Sequence, residues 1–366
     1  MPTVAVVAGE ASGDTHAGRL VAALRALAPD VEVWAVGGEG LRAAGARVVF
    51  PSEALAGMGL VEAAGRLPAL LRARAEVLRR FETSPPDLFV PVDFGGLNLR
   101  LARAARCRGI RVVYFIPPKV WAWGRWRVRA LREGVTEALV VLPFEETFLR
   151  GAGVAARYVG SPVADHVAGR RWRPEPGRVG VLPGSRRGEI LRIGPLLAEA
   201  AALLARGRDL RFSVARAPGV DPAWLEGTME RLGPGAEVKD DALEVMERSI
   251  LVLAASGTAT LECALVGVPH VVAYRVSPLT YLVGRMLVRV PFMSLPNLIA
   301  GRAVVPELIQ RPASEVAAAA APLLEDGPAR AGVLRGLDEV RRAVGAPGAS
   351  ERAARRVLAH LRGEAP

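Results

Sequence analysis

Short apolar runs rich in Val, Ala and Leu alternate along this chain with longer stretches in which apolar positions recur every three or four residues. The short runs predict strands at 4–8, 31–36, 47–50, 88–92, 112–116, 138–142 and 156–159. The longer stretches predict helices at 14–26, 61–81, 97–107 and 145–151. Such an alternation is what a parallel, doubly wound sheet requires.

Between Gly160 and Gly177 the pattern breaks into a Pro- and Arg-rich stretch that continues neither periodicity, and this reads as an interdomain linker. A second series follows, with strands at 179–182, 210–215, 237–239, 250–254 and 270–274 and helices at 189–205, 242–248 and 258–266. The predicted fold class is α/β: two Rossmann-like domains with parallel sheets facing a cleft, where ligands meet the carboxyl ends of strands. The expected boundaries are 1–165 and 166–340. Helices from Ser314 to Leu361 would follow, with 341–366 packing back on the first domain or on a partner subunit.

Length and composition agree with two domains: 366 residues, 51% hydrophobic and only 5% aromatic. No apolar run approaches the ~20 residues that span a bilayer, and the start lacks the basic region of a leader, so a cytoplasmic protein is expected. Cys107 and Cys263 lie far apart in predicted helices, which favours buried free thiols. The four histidines show no ligand spacing, so no metal is expected. A net charge of +11, almost wholly from arginine, draws anions. Nucleic acid is one candidate, but no zinc-finger, RNP or basic-zipper pattern appears. Phosphorylated substrates or an anionic membrane explain the surplus equally well.

Five motifs sit where strands give way to helices. Gly9-Glu10-Ala11-Ser12-Gly13-Asp14 can turn N–H groups and the Ser12 hydroxyl towards a ligand, or be an ordinary turn capped by Ser12 or Asp14. Gly38 to Ala43 fits G-x-G-x-x-A, but it follows the second strand with no acidic partner downstream, which favours a turn over a dinucleotide site. Asp93, directly after the strand at 88–92, can take a proton from a sugar hydroxyl or cap the helix near Leu97. The Gly184-Ser185-Arg186 turn, with Glu189 able to steady the guanidinium, suits a diphosphate better than a solvated loop. Ser256-Gly257-Thr258 repeats that arrangement, and Glu262 one turn on can hold ribose hydroxyls.

Together with Met58-Gly59 and Glu62, the stretch Val120-Trp121-Ala122-Trp123, Leu142 to Glu145 and Ser294 to Gly301, these motifs resemble the lipid-A-disaccharide synthase family, in order from about residue 3 to Gln310. The resemblance implies an inverting, metal-independent, cofactor-free glycosyltransferase of GT-B fold. It implies that the first domain faces acceptor and membrane while the second binds the UDP-sugar. Asp93 would be the base activating the acceptor 6-hydroxyl, with Glu10 beside it among the catalytic residues. Ser185, Arg186, Glu189, Ser256, Gly257, Thr258, Glu262, Asn297 and Glu307 would serve the donor, and Ser12, Gly13, Met58 and Trp121 the acceptor side.

The implied reaction moves diacylglucosamine from UDP to diacylglucosamine 1-phosphate. Peripheral contact with an anionic membrane goes with it; the sequence leaves oligomeric state open with a homodimer as one option, and no nucleic-acid partner is expected. The family's D-x-P-D-F-N reads Asp93-Phe94-Gly95-Gly96-Leu97-Asn98 here, its S-P-x-V-W-A-W begins Pro117-Pro118, and its Gly-His-Pro reads Gly160-Ser161-Pro162. Arginine-rimmed amphipathic stretches at 58–74 and 279–293 suit either an interfacial contact or simple packing on a sheet. Rival readings are another UDP-sugar enzyme on this scaffold, such as a UDP-N-acetylglucosamine 2-epimerase, and a basic nucleic-acid-binding protein.

Overall fold

Residues Val4 to Ala8 are all fully buried, as are Leu88, Phe89, Val90 and Val92. Strands apolar on both faces persist only where helices cover both sides of a sheet. The computed structural model describes residues 1–55, 60–232, 236–277, 281 and 290–364, without the side chains of 60–66 and 231. It divides into one unit of Met1–Pro162 with Ala346–Pro366 and a second of Val163–Gly345.

The first unit holds β1 (Thr3–Ala8), β2 (Glu32–Gly37), β3 (Arg47–Pro51), β4 (Leu88–Val92), β5 (Arg111–Phe115), β6 (Glu137–Val140) and β7 (Ala156–Tyr158). They pair in parallel in the order β3-β2-β1-β4-β5-β6-β7. Alternate residues serve opposite cores, as the two-residue strand period dictates. Ala5, Val7, Phe89 and Tyr114 face one core with Ala73, Val77 and Phe81 of the helix Leu60–Thr83. Val4, Val6, Val90 and Phe115 face the other with Leu20 and Leu24 of the helix Ala11–Leu27.

The second core is sealed by Ala353, Ala354 and Val357 of the last helix, Ala349–Arg362, which rejoins the first unit after the chain has built the second. A polar lock fixes it. Glu137, buried at the start of β6, accepts from Arg356 Nε and Nη2 at 2.8 and 2.9 Å, and its Oε2 lies 2.9 Å from His360 Nε2. Arg111 adds a bond to the His360 carbonyl at 2.5 Å.

In the second unit β8 (Arg178–Leu182), β9 (Arg211–Ala215), β10 (Glu237–Lys239), β11 (Leu251–Ala255), β12 (His270–Tyr274) and β13 (Glu307–Ile309) form a parallel sheet ordered β10-β9-β8-β11-β12-β13. The three-residue β13 has too few positions to carry a periodicity and was not expected from sequence. The 160–177 stretch is only partly a linker. It contains the short helix Pro162–His166, and beyond it Trp172 Nε1 donates to the Ser249 carbonyl at 2.8 Å while Arg170 pairs with Asp241 and Glu247. Cys263 is buried as expected, whereas Cys107 is exposed because it ends a helix rather than lying within it.

Strand order reverses once in each sheet, between β1 and β4 and between β8 and β11. At such a switch point neighbouring loops leave in opposite directions and open a crevice at the carboxyl ends. The register pairs Ala8 with Val92 and Leu182 with Ala254, so Gly9 stands beside Asp93, and Pro183 beside Ala255.

The Glu137 carboxyl is held down to about 2, because hydrogen bonds and charge from His360 and Arg356 outweigh its burial. A carboxylate depressed on folding stabilises fully above its unfolded value near 4.5 and loses that contribution as pH falls towards 2. Glu137→Gln should lower unfolding free energy by about 3 kcal/mol at pH 7. It should also flatten the acid limb of a thermal-unfolding series between pH 5 and 2.5, and a parallel limb would remove the lock from the stability account.

Candidate active site

Two loops of the second unit open into one cavity of about 500 Å³. After β8 the chain turns at Gly184, whose φ of +112° is a conformation that side chains resist. Ser185 and Arg186 follow, and the helix Arg187–Leu204 begins with no side-chain cap. After β11, Ser256 and Gly257 lead into the helix Thr258–Val266, which also starts uncapped. The first N–H groups of a helix have no partner within it and carry its positive end, so two open helix starts beside a guanidinium form an anion site.

Ser185, Arg186, Glu189, Ser256, Gly257, Thr258 and Glu262 all line this cavity. Arg186 is well exposed, 3.5 Å from Glu189, which steadies it without neutralising its reach. Burial pushes the Glu262 carboxyl upward, and the facing His166 counters part of that rise. Sequence reasoning missed His166, Arg216, Asp240 and Asp241, which also line it. Arg216 Nε donates to Asp240 at 2.6 Å, joining the ends of β9 and β10. The strand-end rule that exposed Ser185 and Ser256 could have named these three; His166 carried no signal, because it lay in a stretch read as linker.

Asn297 and Glu307 are not among the lining residues. Asn297 is fully buried, its Oδ1 accepting from Val304 and Val305 N–H at 2.7 and 2.9 Å and its Nδ2 donating to the Val305 carbonyl and Glu307. Glu307 accepts from the backbone of Met293 and Ser294, both at 2.5 Å, and the Ser256 hydroxyl donates to the Met293 carbonyl at 3.2 Å. These two side chains build the wall behind the Ser256 turn.

In the first unit the switch point sets Gly9 and Gly13 against Asp93, with Glu10 and Ser12 on the same strand-to-helix segment. The first helix starts at Ala11, not at residue 14, so Ser12, Gly13 and Asp14 lie in its opening turns and neither Ser12 nor Asp14 caps it. Asp14 instead accepts from the N–H groups of Gly38 and Gly40 at 2.6 and 2.7 Å, making the glycine motif there a turn wrapped on a carboxylate. A β-carbon at Gly13 would sit 3.6 Å from that of Asp93, and one at Gly9 would overlap the Phe94 ring. Glu10 and Ser12 are exposed.

Asp93 does not cap the following helix either. Gly95–Arg106 is preceded by Phe94, and no group among the described residues donates to the half-buried Asp93 carboxylate. Two of the three stretches that depart from the family pattern touch each other, since a β-carbon at Gly95 would come within 2.8 Å of Pro118. Trp121 is oriented by a 2.7 Å bond from its Nε1 to buried Glu145 and by an edge contact with Phe144. Burial pushes Glu145 upward, against the bonds it accepts from Trp121 and two backbone N–H groups. Met58 lies outside the described residues, as does most of 279–293. Among the described residues no cluster of three His, Cys, Asp or Glu could hold a metal ion.

The lipid-A-disaccharide synthetase family model matches residues 4–331. A lipid-A-disaccharide synthase of Myxococcus xanthus is 42% identical, covering 98% of this chain and 97% of the relative, and one of Azotobacter vinelandii is 43% identical over 88% and 90%. The chain belongs to the lipid-A-disaccharide synthase family. Members of the family are glycosyltransferases, and the fold is the GT-B type that the sequence led us to expect. Solved structures share that fold at low identity. The glycotransferase of kitacinnamycin aligns with a TM-score of 0.65 at 16% identity over 98% of this chain and 99% of that one. MnaA of S. aureus, solved with UDP, aligns at 0.63 and 12% identity over 100% and 99%.

Within this family site, Asn297→Ala would orphan the Val304 and Val305 N–H groups. A loss of roughly 2–4 kcal/mol in denaturant unfolding is expected, and unchanged stability would show that water replaces the amide.

Proposed function

We propose that the chain transfers 2,3-diacylglucosamine from UDP to the 6-hydroxyl of 2,3-diacylglucosamine 1-phosphate, giving a β-1,6-linked disaccharide 1-phosphate and UDP. One observation carries the reading: two uncapped helix starts, Arg186 and Glu262 converge on one cavity, a set suited to a nucleoside diphosphate. The UDP held by MnaA, a fold neighbour, supports the nucleotide. Membership of the family supports the acylated sugars.

In this mechanism the hydroxyl attacks the anomeric carbon directly. Asp93, with Glu10 beside it, takes the hydroxyl proton, and the bond to the UDP oxygen breaks as the new glycosidic bond forms. Ser185, Arg186 and the Ser256–Gly257–Thr258 turn stabilise charge building on the leaving diphosphate. Glu189 steadies Arg186 and Glu262 holds ribose hydroxyls, while Asn297 and Glu307 act on the donor through the wall they build. Gly13, Ser12, Met58 and Trp121 serve the acceptor side. Residues 1–165 would then be the acceptor domain and 166–340 the donor domain. The epimerase alternative predicts turnover of UDP-N-acetylglucosamine without acceptor, and the family match does not favour it.

Acylated substrates reside in a bilayer, so peripheral contact with an anionic membrane belongs to the reading, and a homodimer remains compatible with it. No helix among the described residues is long and apolar enough to cross a membrane. The helix Leu60–Thr83 buries Ala73, Val77 and Phe81 yet leaves Leu67 and Leu71 more than half exposed next to Arg72 and Arg74. Exposed Trp123 and Trp126, with Arg127 stacked 4.3 and 5.0 Å from their rings, have the amphipathic character favoured at lipid headgroups.

Mass spectrometry of products from UDP-diacylglucosamine, with and without diacylglucosamine 1-phosphate, tests the reaction. Disaccharide should form only when both are present. Asp93→Ala should cut turnover by about 10²–10⁴-fold while UDP affinity by calorimetry holds; joint loss of both would make Asp93 structural. Arg186→Ala should weaken UDP by roughly tenfold or more, and unaltered affinity would remove it from the site. Leu67→Ser with Leu71→Ser should reduce co-sedimentation with phosphatidylglycerol vesicles, and equal binding by the variant would exclude that face.

A further inference from the structure

Asp93 and Phe94 are consecutive non-glycine residues in the left-handed region, at φ of 49° and 51°. In that region the β-carbon crowds the backbone, and such a pair persists only where its surroundings over-determine it. The strand-to-helix turn could have placed Gly95 and Gly96 there at no steric cost, but both lie inside the helix Gly95–Arg106 instead. The strain falls on the residue that carries the carboxylate.

Asp93 is held by its backbone from both sides. Its N–H donates to the Phe115 carbonyl at 3.1 Å. Its carbonyl accepts from the Tyr114 hydroxyl at 2.7 Å and from Asn98 Nδ2 at 2.8 Å. Asn98 is fully buried, and the same Nδ2 also lies 3.1 Å from the Val7 carbonyl and 3.2 Å from that of Val92, so one amide ties together the ends of both switch-point strands. Facing three carbonyls fixes which end of the amide is nitrogen. Its Oδ1 is buried with no hydrogen-bond partner among the described residues, so the side chain is committed to those carbonyls at its own cost. Tyr114 is fully buried, and burial together with the nearby Asp93 charge pushes its phenol well above the ordinary range, which keeps it a donor. The Phe94 ring, lying over Gly9, pins the next residue. Both backbone polar groups of Asp93 are engaged, and among the described residues nothing donates to its carboxylate.

We infer that Asn98 and Tyr114 are positioning residues for the transfer reaction: they clamp the left-handed turn that aims the Asp93 carboxylate while leaving it unbonded. Neither touches the reacting atoms. A core amide and a core phenol serve only packing if the turn would hold without them. With the turn under strain, deleting one donor lets the carboxylate drift while the fold and the nucleotide cavity of the second unit stay intact. The inference rests on Asp93 as the proton acceptor, and the test separates the two.

Tyr114→Phe removes a single buried oxygen and keeps the ring, so it is the first variant; Asn98→Ala is the harsher second. Steady-state kinetics should show kcat lowered by about tenfold to a hundredfold, with KM for the UDP donor and calorimetric UDP affinity within about twofold of wild type. The Asp93→Ala, Tyr114→Phe double variant should be no slower than Asp93→Ala alone, since a residue acting through Asp93 has nothing left to position. Wild-type kcat in Tyr114→Phe, or a further loss in the double variant, would overturn the clamp. Full turnover by Asp93→Ala would instead sink the proton-acceptor reading, and with it the clamp's role in the reaction.

Discussion

Each of the two sheets reverses its strand order at one place, and that reversal governs the chemistry available to the chain. Loops leaving β1 and β4, or β8 and β11, diverge on opposite faces, so the carboxyl ends of two adjacent strands stay uncovered. Residues one to four positions past the strand in those loops can meet a ligand; residues elsewhere in the sheet are walled in by helices. Asp93 and Glu10 occupy one such opening, and Arg186 and Ser256 the other.

The openings are finished by different physics. In the second unit the loops deliver partial positive charge, because two helices begin without side-chain caps and leave their first N–H groups for an anion. The nearby carboxylates do not cancel this: Glu189 steadies Arg186, Asp240 is engaged by Arg216, and burial works against ionisation of Glu262. In the first unit the loop delivers a negative group. There the backbone of β4 ends in a left-handed turn, and polar side chains from the core spend their hydrogen bonds on its carbonyls rather than on the Asp93 carboxylate.

Much of this was legible in the sequence because a parallel sheet covered on both faces writes its strands as uninterrupted apolar runs. Gly9, Asp93 and Ser256 stand directly after such runs and Gly184 one residue later, and that position alone identified their loops. What could not be read is instructive. The left-handed residues were hidden because Gly95 and Gly96 advertised the turn two positions late. Asp14 looked like a helix cap, since nothing local shows that its carboxylate reaches the Gly38 turn. Asn297 and Glu307 looked like ligand contacts, yet their hydrogen bonds close on backbone groups brought near only by the fold. Arg216 and Asp240 follow short, partly polar strands, where the apolar signal is weak.

In the proposed reaction a uridine diphosphate seats its phosphates at the two uncapped helix starts of the second unit. A crystal structure of the protein grown with UDP tests this most directly. Diphosphate oxygens should lie within hydrogen-bond distance of the Ser256 to Thr258 backbone N–H groups and of Arg186, with the ribose at Glu262. Clear UDP density elsewhere, with this cavity holding only water, would contradict it.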